Sequence, residues 1–539
     1  MGKQREAMLE MDLTRRRLMR SALGAALLAP CLEISSSARA QSGARLRIGL
    51  AAPNTTLDPH LQSNAPNNAV TTHIFDSVIV NDEALRSRPG LAASWRVLDD
   101  THWEFTFQPN VHFSDGSPIT AQDIAASIDR ATTIPSTASF RTYTRSIKTI
   151  VAGTPNTFII ETKAPDPLLL NSLSRIRIIS AKHKDAPSSD FNSGKAAIGT
   201  GPYLFKEYVP GSHVLLVRNE GHWGPKPPWS EVILRIVAEN GARIAGLLSG
   251  DLDLIEGVPS EGLDRVKSND RLHTISGISS RLVYFGMDQG RDVTPFATDA
   301  TGKPLERNPF RDRKVREAID LAINRQAIVD RVMDGVAMVA TQYLPPGGFG
   351  TSPNIKPTPY DPIKAKALLA EAGYPNGFGL TIHGPNGRYV NDARIVQAVA
   401  QMLARIGIAP KVEIMPWAVY GGRVREFSFS LGSWGVNTGE TSNPIVALNA
   451  TYDKEAGTGV SNSGRYSDPR VDELVKLAVR TMDDDKRAKL LAEASEIVFA
   501  DRAILPLHHE GLTWAARKSI QYTPRADQYT LAMGVTMSG

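Results

Sequence analysis

Alternating apolar and polar positions mark several short segments of the chain as β-strands. In Arg45–Leu50 the apolar residues fall on every second position, which is the spacing of a strand buried on one face. Residues 203–208 and 213–218 alternate in the same way, and Pro210 and Gly211 between them favour a turn. The pattern therefore predicts a β-hairpin here, followed by a further strand over residues 232–237.

A helical spacing appears in the second half of the chain. Val315, Ala318, Ile319 and Ala322 lie at positions i, i+3, i+4 and i+7, so they share one helix face. Strands are predicted between such segments, and strands that alternate with helices indicate an α/β fold. The predicted helices span residues 362–372, 392–406, 468–481 and 486–500, and the predicted strands span residues 408–414 and 427–434.

An aromatic region in the first half of the chain also combines strands with a helix. Residues 103–107 and 111–113 alternate, and the proline and asparagine between them predict a hairpin. Thr120 and Asp123 have the spacing of a capping box, in which each side chain bonds the backbone of the other residue. We therefore expect a helix to begin there, with the aromatic residues of the hairpin in a hydrophobic core.

Composition narrows the class of protein. With 539 residues the chain is long for a single core, which predicts two or three lobes. Hydrophobic residues make up 42% and charged residues 22%, the proportions of an ordinary globular protein. The formal net charge is +5, but residues 1–40 hold seven Lys and Arg residues, and no basic run with interleaved aromatic residues follows. These features argue against nucleic acid as a partner.

The N-terminus has the layout of an export signal. An arginine triplet at residues 15–17 precedes a short apolar segment at residues 21–30, and Ala-Arg-Ala at residues 38–40 supplies the small residues of a cleavage site. The triplet resembles a twin-arginine signal, a route that exports folded proteins. We expect residues 1–40 to be removed after Ala40, which would place the protein in the periplasm. An amphipathic N-terminal helix or an anchor is the alternative.

The single cysteine, Cys31, lies inside this predicted signal. The mature chain would then contain no cysteine, which excludes disulfides, thiolate zinc sites and cysteine catalysis. Residues 28–31 resemble a lipoprotein box, but the proline directly before the cysteine departs from that pattern. No lipid anchor is predicted.

Sequence motifs of enzymes are incomplete. Ser433 is not part of a Gly-x-Ser-x-Gly motif, because Leu431 occupies the first glycine position. The segment around Thr200 lacks the third glycine of a dinucleotide-binding loop. His508 and His509 are adjacent, whereas a helical zinc site needs the spacing His-x-x-x-His. No catalytic residue, metal site or cofactor is predicted, but a serine triad is spatial, so an exported hydrolase stays an alternative.

Four sequence blocks carry a family resemblance. They are residues 52–60 (APNTTLDPH), an interrupted block over residues 90–124, residues 197–224 (beginning AIGTGPYLF) and residues 249–259 (SGDLDLIEGVP). In this order they resemble the extracytoplasmic solute-binding proteins of the peptide/nickel family, which are the dipeptide and oligopeptide receptors of ABC importers. The resemblance extends over nearly all of residues 45–531.

The resemblance implies an α/β fold of the periplasmic-binding-protein type II, with three lobes and a hinged ligand cleft. A discontinuous lobe I would comprise residues 44–79, 199–277 and 505–539. Lobe II, an inserted scaffold, would span residues 80–198, and lobe III residues 278–504. By this resemblance the protein is a monomer that closes on a small polar solute and delivers it to the membrane permease subunits of an ABC importer. The solute would be a short peptide or an amino-acid- or opine-like conjugate, and a chaperone-like binder of extended peptides is a further alternative.

The end of the strand at residues 427–434 supplies the first candidate ligand residue. In the family, a tryptophan at the position of Trp434 lines the pocket. Dipeptide and oligopeptide receptors have an aspartate three residues later, which holds the α-amino group of the peptide. This chain has Asn437 there, which accepts a hydrogen bond but carries no charge. Nickel receptors have a tyrosine where this chain has Thr438. A core position is the alternative for Trp434, although the flanking glycines favour the pocket.

A loop arginine is the second candidate. By the resemblance, Arg388 matches an arginine that binds the carboxylate of peptides, a group that the guanidinium fork suits. A solvated loop arginine is the alternative. Aromatic residues after the next strand and residues of the facing lobe complete the predicted pocket. They are Trp417, Tyr420, Tyr284, and Thr55 or Thr56.

Overall fold

The computed structural model describes residues 44–154, 156–435 and 439–538. The predicted export signal with Cys31 and the candidate residue Asn437 lie outside the described residues. Gly43–Gly539 form one structural unit. In the described part of the chain, no helix is both long and apolar enough to cross a bilayer.

Strands and helices follow one another along the described chain, which confirms the predicted α/β class. The strands are β1 Arg45–Leu50, β2 Ile79–Asn81, β3 Ser87–Pro89, β4 Ala92–Val97, β5 His102–Phe107, β6 Ile147–Ala152, β7 Thr157–Thr162, β8 Tyr203–Val209, β9 His213–Arg218, β10 Glu231–Ile236, β11 Leu254–Ile255, β12 Leu272–Met287, β13 Ala297–Thr298, β14 Met338–Val339, β15 Gly379–Asn386, β16 Ala409–Pro416, β17 Phe429–Trp434, β18 Ile504–Arg517, β19 Ile520–Tyr522 and β20 Val535–Met537. The helices are α1 Ala65–Thr71, α2 Ala121–Thr133, α3 Arg141–Thr144, α4 Leu169–Leu173, α5 Ser188–Asn192, α6 Asn240–Ser249, α7 Ser260–Lys267, α8 Arg313–Ala322, α9 Arg325–Arg331, α10 Pro362–Glu371, α11 Asp392–Ala404, α12 Trp417–Arg423, α13 Ser442–Leu448, α14 Pro469–Ala478 and α15 Asp484–Ala500.

Within the described residues, the largest sheet has twelve strands. Its order is β13-β15-β17-β12-β18-β11-β1-β10-β9-β8, with β14 added on β18 and β16 added on β15. A separate antiparallel sheet has the order β4-β5-β7-β6, and the pairs β2-β3 and β19-β20 stand apart. Because the large sheet draws strands from both ends of the chain, residues distant in sequence meet at its centre.

The centre of the large sheet is an antiparallel pair of long strands, β12 and β18, which we call the crossing strands. They are 16 and 14 residues long. Their register shifts between Ile278, which pairs with Gly511, and Leu282, which pairs with His509. Residues 279–281 therefore stand against a single residue of β18, an arrangement that we call the bulge. A bulge bends a strand and interrupts its hydrogen-bond ladder locally.

Different hydrophobic clusters pack at the two ends of the crossing strands. Trp514 belongs to a cluster with β1, β9 and β10, whereas Phe285 and Leu505 belong to a cluster around α8 and α11. A third cluster packs α2 against the four-stranded sheet, where the rings of Phe105 and Phe158 stack at 5.1 Å. The crossing strands are thus the element that two cores share. The lobe boundaries expected from the sequence stay predictions.

Residues that are adjacent in sequence delimit the predicted helices. Asp361 caps α10 by accepting a hydrogen bond from the backbone N–H of Lys364 at 2.9 Å, and Gly373 follows the helix with φ +92°. This left-handed conformation is one that glycine adopts without a steric penalty. At the start of α2, Thr120 and Asp123 form the predicted capping box.

The predicted hairpin of residues 103–107 with residues 111–113 is wrong. Strand β5 pairs with β4 on one side and β7 on the other, and the segment that follows it turns away. In that segment the N–H of Phe113 donates to the carbonyl of Ser117 at 2.8 Å, while the side chains of Val111 and Phe113 are buried. Alternation identified buried side chains correctly, but it does not tell a strand which partner it pairs with.

A buried histidine joins the N-terminal and C-terminal parts of the described chain. His73 follows α1 and is fully buried. Its Nδ1 lies 2.9 Å from the carbonyl oxygen of Ala69, and its Nε2 accepts a hydrogen bond from the N–H of Ala532 at 3.0 Å. Both contacts need the neutral ring with its proton on Nδ1. Burial lowers the pKa of His73 to about 4.

We expect the free energy of unfolding to fall when the pH is lowered from 7 to 5. Over this window the unfolded chain protonates His73, with a pKa near 6.5, whereas the folded chain does not. The stabilisation is therefore complete above about pH 6.5 and is lost as the pH falls towards 4, by about 2 kcal/mol at pH 5 for this residue. Urea unfolding at both pH values measures it. His73→Gln should be less stable at pH 7 but should lose less on acidification, and an unchanged pH slope in this variant would contradict the assignment.

Candidate ligand-binding site

A cavity of about 440 Å³ lies where β17 ends beside the crossing strand β12. In the pairing of the two strands Trp434 stands opposite Leu282, and Gly432 stands opposite Tyr284. The volume is within the range of small-molecule sites. Of the predicted site residues, the structure brings four into its lining: Tyr284, Trp417, Tyr420 and Trp434.

Trp434 lies between the cavity and a hydrophobic cluster. Its side chain is partly buried, lines the cavity and packs against the cluster that contains Tyr284. The indole Nε1 donates a hydrogen bond to Oδ1 of Asn443 at 3.1 Å. A Cβ atom at Gly432 would lie 2.8 Å from the ring of Tyr284, so glycine is needed for that ring to pack against β17. The two alternatives for Trp434 are thus not exclusive, because one side of it contacts core residues.

Arg388 lies over the aromatic wall of the cavity without lining it. It is exposed, and its guanidinium carbon is 5.0 Å from the ring centroid of Trp417 and 5.8 Å from that of Tyr389. This is cation–π distance. The backbone N–H groups of Arg388 and Tyr389 donate to the carboxylate of Asp392 at 2.8 and 3.1 Å. The start of α11 therefore holds the loop in place.

Tyr420 and Tyr284 are largely buried side chains, 1% and 8% exposed. The hydroxyl of Tyr420 donates to the carbonyl oxygen of Leu431 at 2.6 Å, and burial raises the pKa of both tyrosines above the ordinary value. Both rings are packing elements that shape the cavity wall.

Thr55 and Thr56 do not line this cavity. The Thr55 hydroxyl donates to Gln62 Oε1 at 3.0 Å, and the Thr56 hydroxyl donates to Asn192 Oδ1 at 3.0 Å. These bonds hold the loop after β1. Asn437 lies outside the described residues, so its expected place in the pocket stays a prediction.

A charged cluster at the bulge was not predicted from the sequence. Arg281 Nε forms an ion pair with Glu510 Oε2 at 3.1 Å, and the same oxygen accepts a hydrogen bond from Gln528 Nε2 at 2.8 Å. Arg281 Nη1 lies 3.5 Å from the hydroxyl of Ser433, a residue that lines the cavity. The available signal was the polar Ser-Ser-Arg at residues 279–281, which directly precedes the apolar run of residues 282–285.

A larger cavity of about 1100 Å³ lies beside the four-stranded sheet and shares no lining residue with the first. Trp95, Trp103 and Phe349 contribute aromatic surface to it. Arg487 donates to Glu440 at 2.7 Å and stacks over Phe349 at 4.4 Å. None of the predicted ligand residues that the structure describes lies in its lining.

The described residues include no group of three or more His, Cys, Asp and Glu side chains that could hold a metal ion. His508 and His509 are buried in β18, and burial lowers the pKa of His508 to about 4 and that of His509 to about 3. Both are therefore neutral at physiological pH. Their positions on a sheet strand agree with packing and give no zinc geometry.

An aromatic cavity beside strands that cross between two hydrophobic cores is an arrangement that suits a solute-binding protein. Comparison with known proteins supports this class. The sequence model described as "Bacterial extracellular solute-binding proteins, family 5 Middle" matches residues 87–456, and the chain belongs to this family.

Individual relatives agree with the assignment. The glutathione-binding protein GsiB of Escherichia coli (strain K12) is 27% identical over 475 residues, which cover 86% of this chain and 89% of that protein. The structure of HbpA2 from Haemophilus parasuis is similar with a TM-score of 0.77 at 25% identity, and covers 92% of this chain and 100% of that chain. DppA from Helicobacter pylori, an ABC transporter-associated periplasmic binding protein solved with the peptide STSA, has a TM-score of 0.70 at 22% identity, covering 92% and 98%.

Family membership confirms the expected fold of the periplasmic-binding-protein type II and the expected function. The protein is a substrate-binding protein of an ABC importer, and the alternative of an exported hydrolase is set aside. Its family is extracellular and solute-binding rather than catalytic.

The hydrogen bond of Tyr420 gives a stability prediction. Tyr420→Phe should lower the free energy of unfolding by about 1 kcal/mol, because the buried carbonyl of Leu431 loses its donor. Tyr360→Phe is the matched control, since Tyr360 is exposed and should tolerate the change. Equal unfolding midpoints for the Tyr420 variant and the wild type would contradict the structural role.

Proposed function

We propose that this protein captures a small polar solute in the cavity beside Trp434 and passes it to the permease subunits of an ABC importer. The single observation that carries the proposal is the aromatic cavity at the end of β17, beside the bulge of the crossing strands. The solute is a short peptide or an amino-acid conjugate such as an opine. Two relatives support this class by name, one glutathione-binding and one solved with a peptide.

Closure of the lobes is the proposed mechanism of capture. The crossing strands connect two cores, and their ladder is interrupted at the bulge. Bending of the strands at the bulge would change the orientation of the two cores relative to each other while the packing inside each core stays intact. A ligand that contacts both sides then stabilises the closed form by its differential affinity for it. Trp434 and the Arg388–Trp417 stack supply the contacts on one side, and the protein acts as a monomer.

Mass spectrometry of solutes that co-purify with the gently isolated protein tests the proposed function. A binding protein should release a small molecule unchanged on denaturation, and the same compound should raise the Tm when added back. No co-purified solute, together with no Tm shift from peptides, glutathione or opines, would contradict the proposal. A chemical conversion of the added compound would point to the hydrolase instead.

Trp434→Ala should weaken binding of the co-purified solute by about 1 kcal/mol or more, as loss of an aromatic contact does. Trp95→Ala is the matched control, because Trp95 is also a partly buried tryptophan but lines the larger cavity. Isothermal titration calorimetry measures both variants. If Trp95→Ala weakens binding and Trp434→Ala does not, the ligand occupies the other cavity.

Export through the twin-arginine route is the proposed origin of the periplasmic protein. Replacement of the arginine triplet at residues 15–17 by lysine keeps the positive charge but removes the recognised residues. The variant should stay in the cytoplasm at full length, whereas the exported wild type should begin at Gln41. Cell fractionation with N-terminal sequencing measures both. Efficient export of the lysine variant would contradict this route.

A further inference from the structure

We propose that Arg281, not Arg388, binds an acidic group of the solute, and that the group is a carboxylate. The inference rests on the proposed function, since it places this subsite beside the cavity at Trp434. It departs from the expectation for Arg388 that the family resemblance supplied. The argument comes from the position of the guanidinium, from its unused donors and from its limited exposure to water.

Arg281 stands where the strand end, the cavity and the bulge meet. It directly precedes Leu282, which pairs with Trp434, and it approaches the cavity-lining Ser433. A Cβ atom at Gly435 would lie 3.4 Å from Arg281 Nη1, so the guanidinium lies close to the backbone that follows β17. Arg281 itself is not a lining residue of the cavity, and Ser433 is the lining residue that connects it to the cavity wall.

The hydrogen bonds of Arg281 leave the terminal edge of its fork for a ligand. Nε of Arg281 forms an ion pair with the buried Glu510 at 3.1 Å. In the described part of the chain, the partners of Nη1 and Nη2 are neutral and distant, with Ser433 Oγ at 3.5 Å and Gln528 Oε1 at 3.3 Å. A carboxylate can accept two parallel, charge-assisted bonds from this edge, which are shorter and stronger than either existing contact.

Glu510 fixes the direction of the fork. Its carboxylate accepts from Gln528 Nε2 at 2.8 Å, and Gln528 Nε2 also donates to Ser279 Oγ at 2.9 Å. These bonds connect β18, the bulge and the segment near residue 528. Glu510 is therefore a positioning residue, which orients Arg281 before a ligand arrives.

The two arginines differ in their exposure to water. The side chain of Arg281 is 24% exposed, whereas Arg388 lies in an exposed loop over the face of Trp417. Water and salt screen an exposed charge more strongly than a partly buried one. Glu510 offsets part of the charge of Arg281, but an acidic group bound there is screened less by water, so we infer that this residue selects between acidic and neutral solutes.

The test uses pairs of probes that differ in a carboxylate. They are trialanine with trialanine amide, and glutathione with its ethyl ester, measured by calorimetry on the full mature chain. The wild type should bind at least one acid about tenfold or more tightly than its neutral partner. Arg281→Gln should reduce this ratio to about one. The matched control is Arg517→Gln, because Arg517 pairs with buried Asp253 on the same sheet, away from the cavity; it should keep the wild-type ratio.

A second variant separates recognition from structural support. Glu510→Gln keeps an acceptor for Arg281 Nε but removes the negative charge, so the acid preference should persist or increase. If Arg281 served only as a structural partner of Glu510, both variants would lose the preference together, which would overturn the inference. Arg281→Lys should retain part of the ratio, since lysine keeps the charge without the fork. Thermal unfolding verifies that each variant is folded.

The other possible results of these binding measurements also test the role of Arg281. An equal affinity of the wild type for acid and neutral probes, or a full acid preference in Arg281→Gln, overturns the inference and leaves the receptor function standing. Failure of the wild type to bind either acid overturns a peptide carboxylate as the recognised group. Failure of the proposed function is seen separately, as the absence of any co-purified or stabilising solute.

Discussion

The antiparallel pairing of β12 with β18 is the constraint on which the rest of the structure depends. One end of the pair lies in the core around Trp514, and the other end lies in the core around Phe285 and Leu505. A continuous ladder would connect the two cores without a break in the hydrogen-bond pattern. The register shift between Ile278 and Leu282 interrupts the ladder at the place where the cores meet. This is the geometry that a receptor needs if it bends without unfolding.

Polar groups at the bulge carry an energetic cost that their mutual bonds offset. Glu510 is 5% exposed, and a carboxylate in that position is strongly destabilising unless it is paired and hydrogen-bonded. Arg281 and Gln528 provide this pairing. The same contacts hold three segments that are distant in sequence, those of Arg281, Glu510 and Gln528, close together at the bulge. An apolar bulge would be easier to stabilise, but it would offer a polar solute no directional contact.

Local sequence patterns predicted the helices and strands of this fold better than they predicted which strands pair. The capping residues of α2 and α10 were recognisable, because a cap depends on residues that are adjacent in sequence. The pairing of β5 with β7 was not recognisable, because β7 begins at Thr157, 50 residues after β5 ends at Phe107. Strand pairing is decided by the whole core, which alternation alone does not encode.

In the candidate site, too, local features were predictable from the sequence, whereas contacts that depend on strand pairing were not. Trp434 was identifiable from its glycine neighbours and from the family resemblance, and the structure places it in the cavity lining. Arg281 and Glu510 could not be identified as a pair from the sequence, because 229 positions separate them and neither belongs to a recognisable motif. Only the pairing of the crossing strands brings them together. The polar interruption at residues 279–281 hinted at a special position, but it did not reveal a partner.

The charges around the cavity argue for a particular kind of solute. Peptide receptors of this family use an aspartate for the amino group, and this chain has Asn437 at that place in the sequence. Glu510 does not substitute for it, because its Oε2 contacts both Arg281 and Gln528 and its Oε1 accepts the N–H of Val390 at 3.4 Å. Arg281 and Arg388 meanwhile add positive charge near the aromatic wall. If the solute binds beside these arginines as proposed, it gains more from a carboxylate than from a free ammonium group, and we expect the site to favour solutes whose amino group is blocked or absent. Conjugated amino acids would meet that requirement better than simple peptides.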